Sequence, residues 1–343
     1  MSDRSGRFGG DDLVCGVELT PELPVDAVED LAVRAERAGF DAVFASCHYN
    51  NRDPFVTLAR IAGATDDVSL GPAAANPYET HPASLASRIA TLQEVSDGRA
   101  AAGLGAGDPS TLENLGVERD RPLRRVLETM RVARRLWAGE RVDHDGTFRA
   151  VDAGLNYEPP GEVPVYVAAQ GPHMLRMAAK HADGALVNAA HPRDLAWASD
   201  RLAEGEAERP GHRGSFRALA FASVSVAPDG DAAREAARLP VAFIAGGAPP
   251  PVLDRHDIDR DRAAAVGEAV EAGEFGTAAD RVSPAMIDAF CAAGTPHAVA
   301  DRLAAMLDHV DGVIAASPLG PDREVAVGAV ADAMDDALSR APE

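Results

Sequence analysis

Glu18 is the residue out of place in LVCGVELTPELP, positions 13–24. Leu13 to Val17 have the apolar character of a buried strand, and a carboxylate is rarely enclosed at such a place without a partner or a task. The ends of the other apolar runs carry a related set. Ser46-Cys47-His48-Tyr49-Asn50-Asn51 follows one, Asn76-Pro77-Tyr78 another and Gly105-Ala106-Gly107-Asp108 a third. Gln170-Gly171-Pro172, Asn188 and Ser317-Pro318 close three more. An acid, an imidazole, amides and glycines in such positions suit a flat, hydrogen-bonding organic molecule and proton transfer to it. They do not suit a metal, since one His and one Glu make a poor ligand set, and there is no nucleophile elbow for a Ser–His–Asp triad. Gly105-Ala106-Gly107 and Gln170-Gly171-Pro172 each precede a helical stretch, where free N–H groups favour an anion such as phosphate. Taken singly, such glycines more often serve backbone geometry than ligand binding.

The elements that must hold these residues alternate along the chain. Strands are predicted at 13–18, 42–46, 68–75, 100–104, 164–168, 184–188, 217–226 and 311–316, with amphipathic helices between them, among them 25–38, 82–95 and 122–137. In the first helix Val25, Val28, Leu31, Ala32 and Ala35 share a face, and Gly39 sits at the C-terminal stop. Eight apolar strands alternating with helices predict an α/β fold, a (β/α)8 TIM barrel, in which the chemistry sits at the C-terminal strand ends. A doubly wound sheet competes, but no GxGxxG follows the first strand. The region 228–295 holds more helix than one unit needs and reads as an insertion before the last strand. The whole chain, 1–343, reads as a single domain with a flexible segment at 1–12. Trp137 and Phe290 read as exposed.

Composition narrows the function classes. The chain has 343 residues, 46% of them hydrophobic, enough for a sizeable core. No run approaches a membrane span, and the start of the chain has no apolar signal region, so a cytoplasmic protein is expected. The three cysteines, Cys15, Cys47 and Cys291, are scattered and suit reduced thiols. A net charge of −21 argues against nucleic acid and against anionic membranes. Lys180 is the single lysine among 33 basic residues, and the acidic, lysine-poor composition reads as halophilic.

Seven segments carry a resemblance: GVELTPELPV, CHYNN, LGPAAANPY, ETHPASLASRIATLQEVSDGRAAAGLGAGD, PVYVAAQGPHML, AFIAGGAPPPVLDRH and SPLGPDRE. Together they are similar to the 5,10-methylenetetrahydromethanopterin reductases, luciferase-like (β/α)8 barrels that use coenzyme F420. ATLQEVSDGRA marks the wider superfamily, whereas the last two segments are specific to the reductases. The resemblance covers about residues 13–340 and implies hydride transfer from C5 of reduced F420 to the methylene carbon bridging N5 and N10 of a tetrahydropterin, giving the N5-methyl form. Glu18 matches the family's Glu in GVEL. A carboxyl group enclosed in apolar surroundings can serve as the acid that opens the imidazolidine ring at N10. His48 and Asn76 are expected to line the deazaflavin pocket, with a non-prolyl cis peptide at Ala73-Ala74 behind the ring. Gly105, Ala106, Gly107, Gln170, Gly171, Pro172 and His173 are expected to cradle the phosphate and linker, with Cys47 and Asn188 also at the cofactor.

Two positions depart from the family pattern: Cys47 stands where aspartate is usual and Ala73 where glycine is. The first departure and the halophilic composition make tetrahydrofolate a candidate carrier beside tetrahydromethanopterin. The resemblance also implies a homodimer or homotetramer. Two alternatives stand beside it. One is another F420- or FMN-dependent luciferase-like oxidoreductase, such as an alcohol or sugar dehydrogenase or a monooxygenase. The other is a non-catalytic deazaflavin-binding barrel.

Overall fold

A computed structural model describes residues 13–158 and 161–340. The expected flexible segment 1–12 lies outside the described residues. Each apolar run forms a strand within three residues of its expected ends. β1 (Val14–Leu19), β2 (Ala42–Ala45), β3 (Ser69–Pro72) and β4 (Ala102–Leu104) come first. A hairpin follows that the apolar pattern does not predict, β5 (Val142–Asp145) and β6 (Arg149–Ala153). Then come β7 (Val165–Ala169), β8 (Gly184–Asn188), β9 (Arg217–Val226), the short β10 (Ala292–Gly294) and β11 (Gly312–Leu319).

The helices before β9 are α1 (Val25–Arg37), α2 (Pro54–Ala64), α3 (Pro82–Val95), α4 (Pro109–Asn114), α5 (Pro122–Trp137), α6 (Pro172–His181) and α7 (Pro192–Glu206). After β9 the chain forms α8 (Gly230–Gly247), α9 (Pro250–Arg255), α10 (Arg260–Glu271), α11 (Phe275–Arg281) and α12 (Pro284–Phe290). α13 (Pro296–Leu307) and α14 (Arg323–Leu338) complete it. Local chemistry sets many of these starts. Asp53, Asp108, Ser283 and Thr295 accept backbone N–H groups just ahead of helices whose first residue is proline. In α1 the predicted face is buried through Val28, Leu31, Ala32 and Ala35, and Gly39 ends it at φ +94°. Among the described residues no helix is long and apolar enough to cross a membrane.

The chain forms two compact units, residues up to 186 with 201–218, and 187–200 with 219 onward. In the first, β1, β2 and β3 pair in parallel, with Glu18 opposite Phe44 and Phe44 opposite Gly71. β4 pairs in parallel with β7, and bridges from Leu70 to Ala100 and from Ala75 to Leu104 join the β3 segment to β4. That approach requires glycine: a Cβ on Gly71 would lie 2.0 Å from the Ala101 carbonyl oxygen, and one on Gly103 1.9 Å from that of Pro72. Parallel strands joined through helices are βα units, and their strands are buried on both faces. Trp137, read as exposed, is buried and donates from Nε1 to the Ala86 carbonyl at 2.9 Å. Phe290, also read as exposed, is buried in the second unit, where an indole or phenyl face finds apolar cover that sequence position alone does not reveal.

In the second unit β9 pairs in parallel with β10 and β11. Helices α8 to α12 enclose a core that includes Val241, Leu253, Val266, Met286 and Phe290. Asp194 of α7 accepts from Arg255 Nε at 2.6 Å and pairs with His256 Nε2 at 2.7 Å. Arg255 and His256 of the reductase-specific run thus fasten α9 and the residue after it to α7, whereas Asp254 of the same run pairs with Arg260 at the surface.

The hairpin β5–β6 rests on one carboxylate in the first unit. Glu128 of α5 accepts from Thr147 N (2.7 Å), Thr147 Oγ1 (2.7 Å) and Arg124 Nε (2.6 Å), and pairs with His144 Nε2 (3.2 Å). Burial pushes this carboxyl upward, but the hydrogen bonds outweigh it and hold it at about 2 against an ordinary 4.5. A depressed carboxyl stabilises the fold above its unfolded pKa and loses that contribution as pH falls through the folded one. Glu128→Gln is therefore expected to cost about 3 kcal/mol at pH 7. The gap to the parent should close between about pH 4.5 and pH 2, which denaturant melts across that window measure. A gap unchanged at low pH would remove the linkage.

Candidate active site

Glu18 ends β1 as an enclosed acid, 3% exposed. Thr20 donates from Oγ1 to Glu18 Oε1 at 2.9 Å, so a residue of the following turn orients the carboxyl. The loops after β1 and β2 are tied together by Arg52, whose N–H reaches the Pro21 carbonyl (3.1 Å) and whose Nη1 reaches that of Glu22 (2.7 Å). This places Cys47 beside the acid. Burial, and then the carboxylates of Glu79, Asp53 and Glu18, push the Cys47 thiol far above the usual cysteine range, against a weaker opposing effect from the Ala73 N–H. The thiol is protonated, a neutral neighbour and not a nucleophile.

The loop after β3 carries the predicted bulge. The Ala73-Ala74 peptide is cis. Ala73 N donates to the Ala45 carbonyl (2.8 Å), Ala75 N to that of Gly103 (2.9 Å) and Gly105 N to that of Ala75 (3.0 Å). Three strand ends are thereby stitched into one rim. Asn76 is buried, and its Oδ1 accepts from the N–H groups of Tyr78 (3.1 Å) and Glu79 (3.0 Å) while its Nδ2 donates to Glu79 Oε1 at 2.6 Å. Its side chain is committed to its own loop, and it acts on its surroundings through Glu79. His48 is exposed, close enough to Asp108 for their charges to interact.

The two glycine turns differ. Behind Gly105-Ala106-Gly107, α4 has only six residues, and the Asp108 carboxylate already fills its N-terminus by accepting from Thr111 N at 2.9 Å. Burial works against ionisation of Asp108, but its bonds from Ser110 and Thr111 hold the carboxyl below its ordinary range. Arg119 donates from Nε to the Ala106 carbonyl at 3.0 Å and brings a guanidinium to this turn. Behind Gln170-Gly171-Pro172, α6 has ten residues and no side-chain cap, and a Cβ placed on Gly171 would meet nothing within 4 Å. His173 and the residues after it offer first-turn N–H groups that no side chain answers, with the positive end of the helix dipole behind them. Gly105 reaches toward β7 as well, since a Cβ there would lie 3.4 Å from that of Ala168. Asn188 is exposed at the end of β8 in the second unit.

A cavity of about 210 Å³ opens at the ends of β2 and β3, and Cys47, His48, Asn76, Asp53, Glu79 and Arg88 are among its walls. The last three, with Arg119, are absent from the residues the sequence points to. Charged residues in loops and helix starts are ordinary, so none stands out singly. The available signal is the three-residue spacing of Asn76 and Glu79, which lets an Asx turn fix a carboxylate.

Comparison with known proteins places the chain in a family. The family model for luciferase-like monooxygenases matches residues 14–310. A 5,10-methylenetetrahydromethanopterin reductase of Archaeoglobus fulgidus is 41% identical over 318 residues, 91% of this chain and 96% of the relative. One from Methanolobus tindarius is 38% identical over 314 residues, with the same coverage. The solved structure of the coenzyme F420-dependent tetrahydromethanopterin reductase of Methanopyrus kandleri superposes with a TM-score of 0.86 at 35% identity, covering 93% of this chain and 97% of that one. The fold class is the (β/α)8 barrel of this group.

Proposed function

This chain belongs to the luciferase-like family and to its methylenetetrahydromethanopterin reductase branch, and from that membership we propose that it reduces a 5,10-methylenetetrahydropterin to the 5-methyl form with coenzyme F420. The carrying observation is Glu18, an enclosed acid at the end of β1 whose carboxyl Thr20 orients beside Cys47 and the β3 bulge. The residues present fit the cofactor. The uncapped start of α6 at Gly171, with open space before it, suits a phosphate, and Gly105 to Gly107 with Arg119 suit the linker. Ala73 and Ala74 would back the ring, with Cys47, His48 and Asn76 beside it. Reduced F420, when bound, supplies the hydride.

The protein's own residues do the rest. Glu18 gives its proton to N10 as the bond from N10 to the methylene carbon breaks, leaving a substrate iminium at N5. The carboxylate that remains faces the new positive charge and stabilises it. The protonated Cys47 adds no competing anion. We take the pterin to be either tetrahydromethanopterin or tetrahydrofolate, and the protein to be a halophilic, cytoplasmic homo-oligomer acting as one barrel domain.

The test offers reduced F420 with each methylene pterin separately, in strong salt, and follows the visible band of the oxidised deazaflavin. Turnover with one pterin identifies the carrier. Binding of F420 without turnover on either would end the reductase reading.

A further inference from the structure

The cavity at the ends of β2 and β3 shares Cys47, His48 and Asn76 with the residues proposed for the deazaflavin, but its remaining polar walls are different in kind. Glu79 and Asp53 each use one carboxylate oxygen inside the protein. Glu79 Oε1 accepts from Asn76 Nδ2 at 2.6 Å, and Asp53 Oδ1 accepts from Phe55 N at 2.9 Å and Val56 N at 3.0 Å. Among the described residues neither acid forms an ion pair, and the second oxygen of each takes no donor. Arg88 spends its guanidinium on Thr80 Oγ1 (3.3 Å) and on the face of Phe55 (5.7 Å to the centroid). The walls therefore combine an aromatic ring with two carboxylates that still have acceptor capacity.

Charge decides which end of a ligand such a cavity takes. Two carboxylates against one guanidinium repel a phosphate or a glutamate tail. They favour a neutral, flat group that carries adjacent N–H donors, because a carboxylate accepts two parallel N–H bonds. At about 210 Å³ the cavity is below the roughly 300–1,000 Å³ of a site for a whole drug-sized ligand, which suits a ring head and not a complete tailed molecule.

We propose that this cavity is the subsite for the aminopyrimidinone edge of the pterin, with the open oxygen of Glu79 accepting from the 2-amino group and the remaining lone pair of Oε1 accepting N3–H. This rests on the reductase reading above and deepens it. Asn76 is then a positioning residue: its amide oxygen is held by two backbone N–H groups, so its amide nitrogen is directed at Glu79. Both candidate carriers share the aminopyrimidinone edge, so Glu79 selects the pterin class and not the carrier.

Glu79→Gln keeps Oε1 for the Asn76 bond and turns the open oxygen into an amide donor that faces the 2-amino group. It is expected to raise the pterin KM about 100-fold, with F420 affinity and thermal stability unchanged. A readout free of cofactor and of mutation accompanies it. The parent protein should bind a tail-less tetrahydropterin about 100-fold more tightly than the analogue bearing oxygen in place of the 2-amino group, by calorimetry. A pterin KM within threefold of the parent, or equal binding of the two ring compounds, would overturn the subsite while parental turnover left the reductase reading standing. Failure of the parent to turn over either methylene pterin, despite binding F420, would overturn the reading and this inference with it.

Discussion

Glu18→Gln is expected to lower kcat about 1,000-fold while the affinities for F420 and for the pterin stay within about threefold of the parent. The amide is nearly isosteric, and its oxygen can still accept the Thr20 hydroxyl that reaches Glu18 Oε1 at 2.9 Å. On the proposed mechanism, what it lacks is the proton for N10 and the charge that faces the iminium afterwards. Both matter in the transition state and not in the ground state, so the loss should fall on kcat and not on KM. A residue serving only to fill the strand end would behave differently: its amide would change stability and leave kcat within tenfold. The measurement is steady-state turnover with reduced F420, paired with F420 fluorescence titration and a thermal melt. Enclosure makes the readout clean, since Glu18 is 3% exposed and water has little room to take over the proton transfer.

That such a residue can be found from sequence follows from its setting. A barrel strand is a short run of small and apolar residues, and a carboxylate at its end breaks the run visibly. β1, β8 and β9 are nearly continuous apolar segments of this sort, and their positions follow directly. The hairpin β5–β6 is not legible, because VDHD and RAVDA expose much of their length and carry little pattern. Its order comes from Glu128, on a helix that ends before the hairpin begins. β10 is three residues, Ala-Ala-Gly, recognisable only through its pairing with β9. The site divides in the same way. Glu18, Cys47 and the glycine turns lie at strand ends and are readable from the run they terminate. Glu79, Asp53 and Arg88 share a cavity only because the loops after β2 and β3 pack together, and no linear pattern records that.

The superfamily run ATLQEVSDGRA has a physical explanation in the first unit, and it concerns the fold, not the chemistry. Arg99 donates from Nε to the Ser96 carbonyl (2.8 Å), from Nη1 to Thr65 Oγ1 (3.1 Å) and the Val68 carbonyl (2.9 Å), and from Nη2 to the carbonyls of Ala62 (2.8 Å) and Thr65 (2.9 Å). All five guanidinium N–H groups are used, and they answer the carbonyls left open where α2 ends and β3 begins. Gln93 contributes from the same run by accepting from Ala100 N at 2.8 Å. Gly98 at φ +88° lets the chain turn back between the two. These contacts lie at the N-terminal ends of β3 and β4, away from the rim that carries Cys47 and Asn76, where residues of a barrel serve stability.

Arg99→Lys is accordingly expected to cost about 3 kcal/mol, because an ammonium has three donors in place of five and leaves enclosed carbonyls without partners. The melting temperature should fall by roughly 4 °C, with kcat per folded molecule and F420 affinity unchanged. The contrast with Glu18→Gln is the useful part. One change should remove stability and spare chemistry, and the other the reverse. A lysine variant melting within 1 °C of the parent would mean that the guanidinium bonds add nothing beyond solvation, and the run would need another explanation.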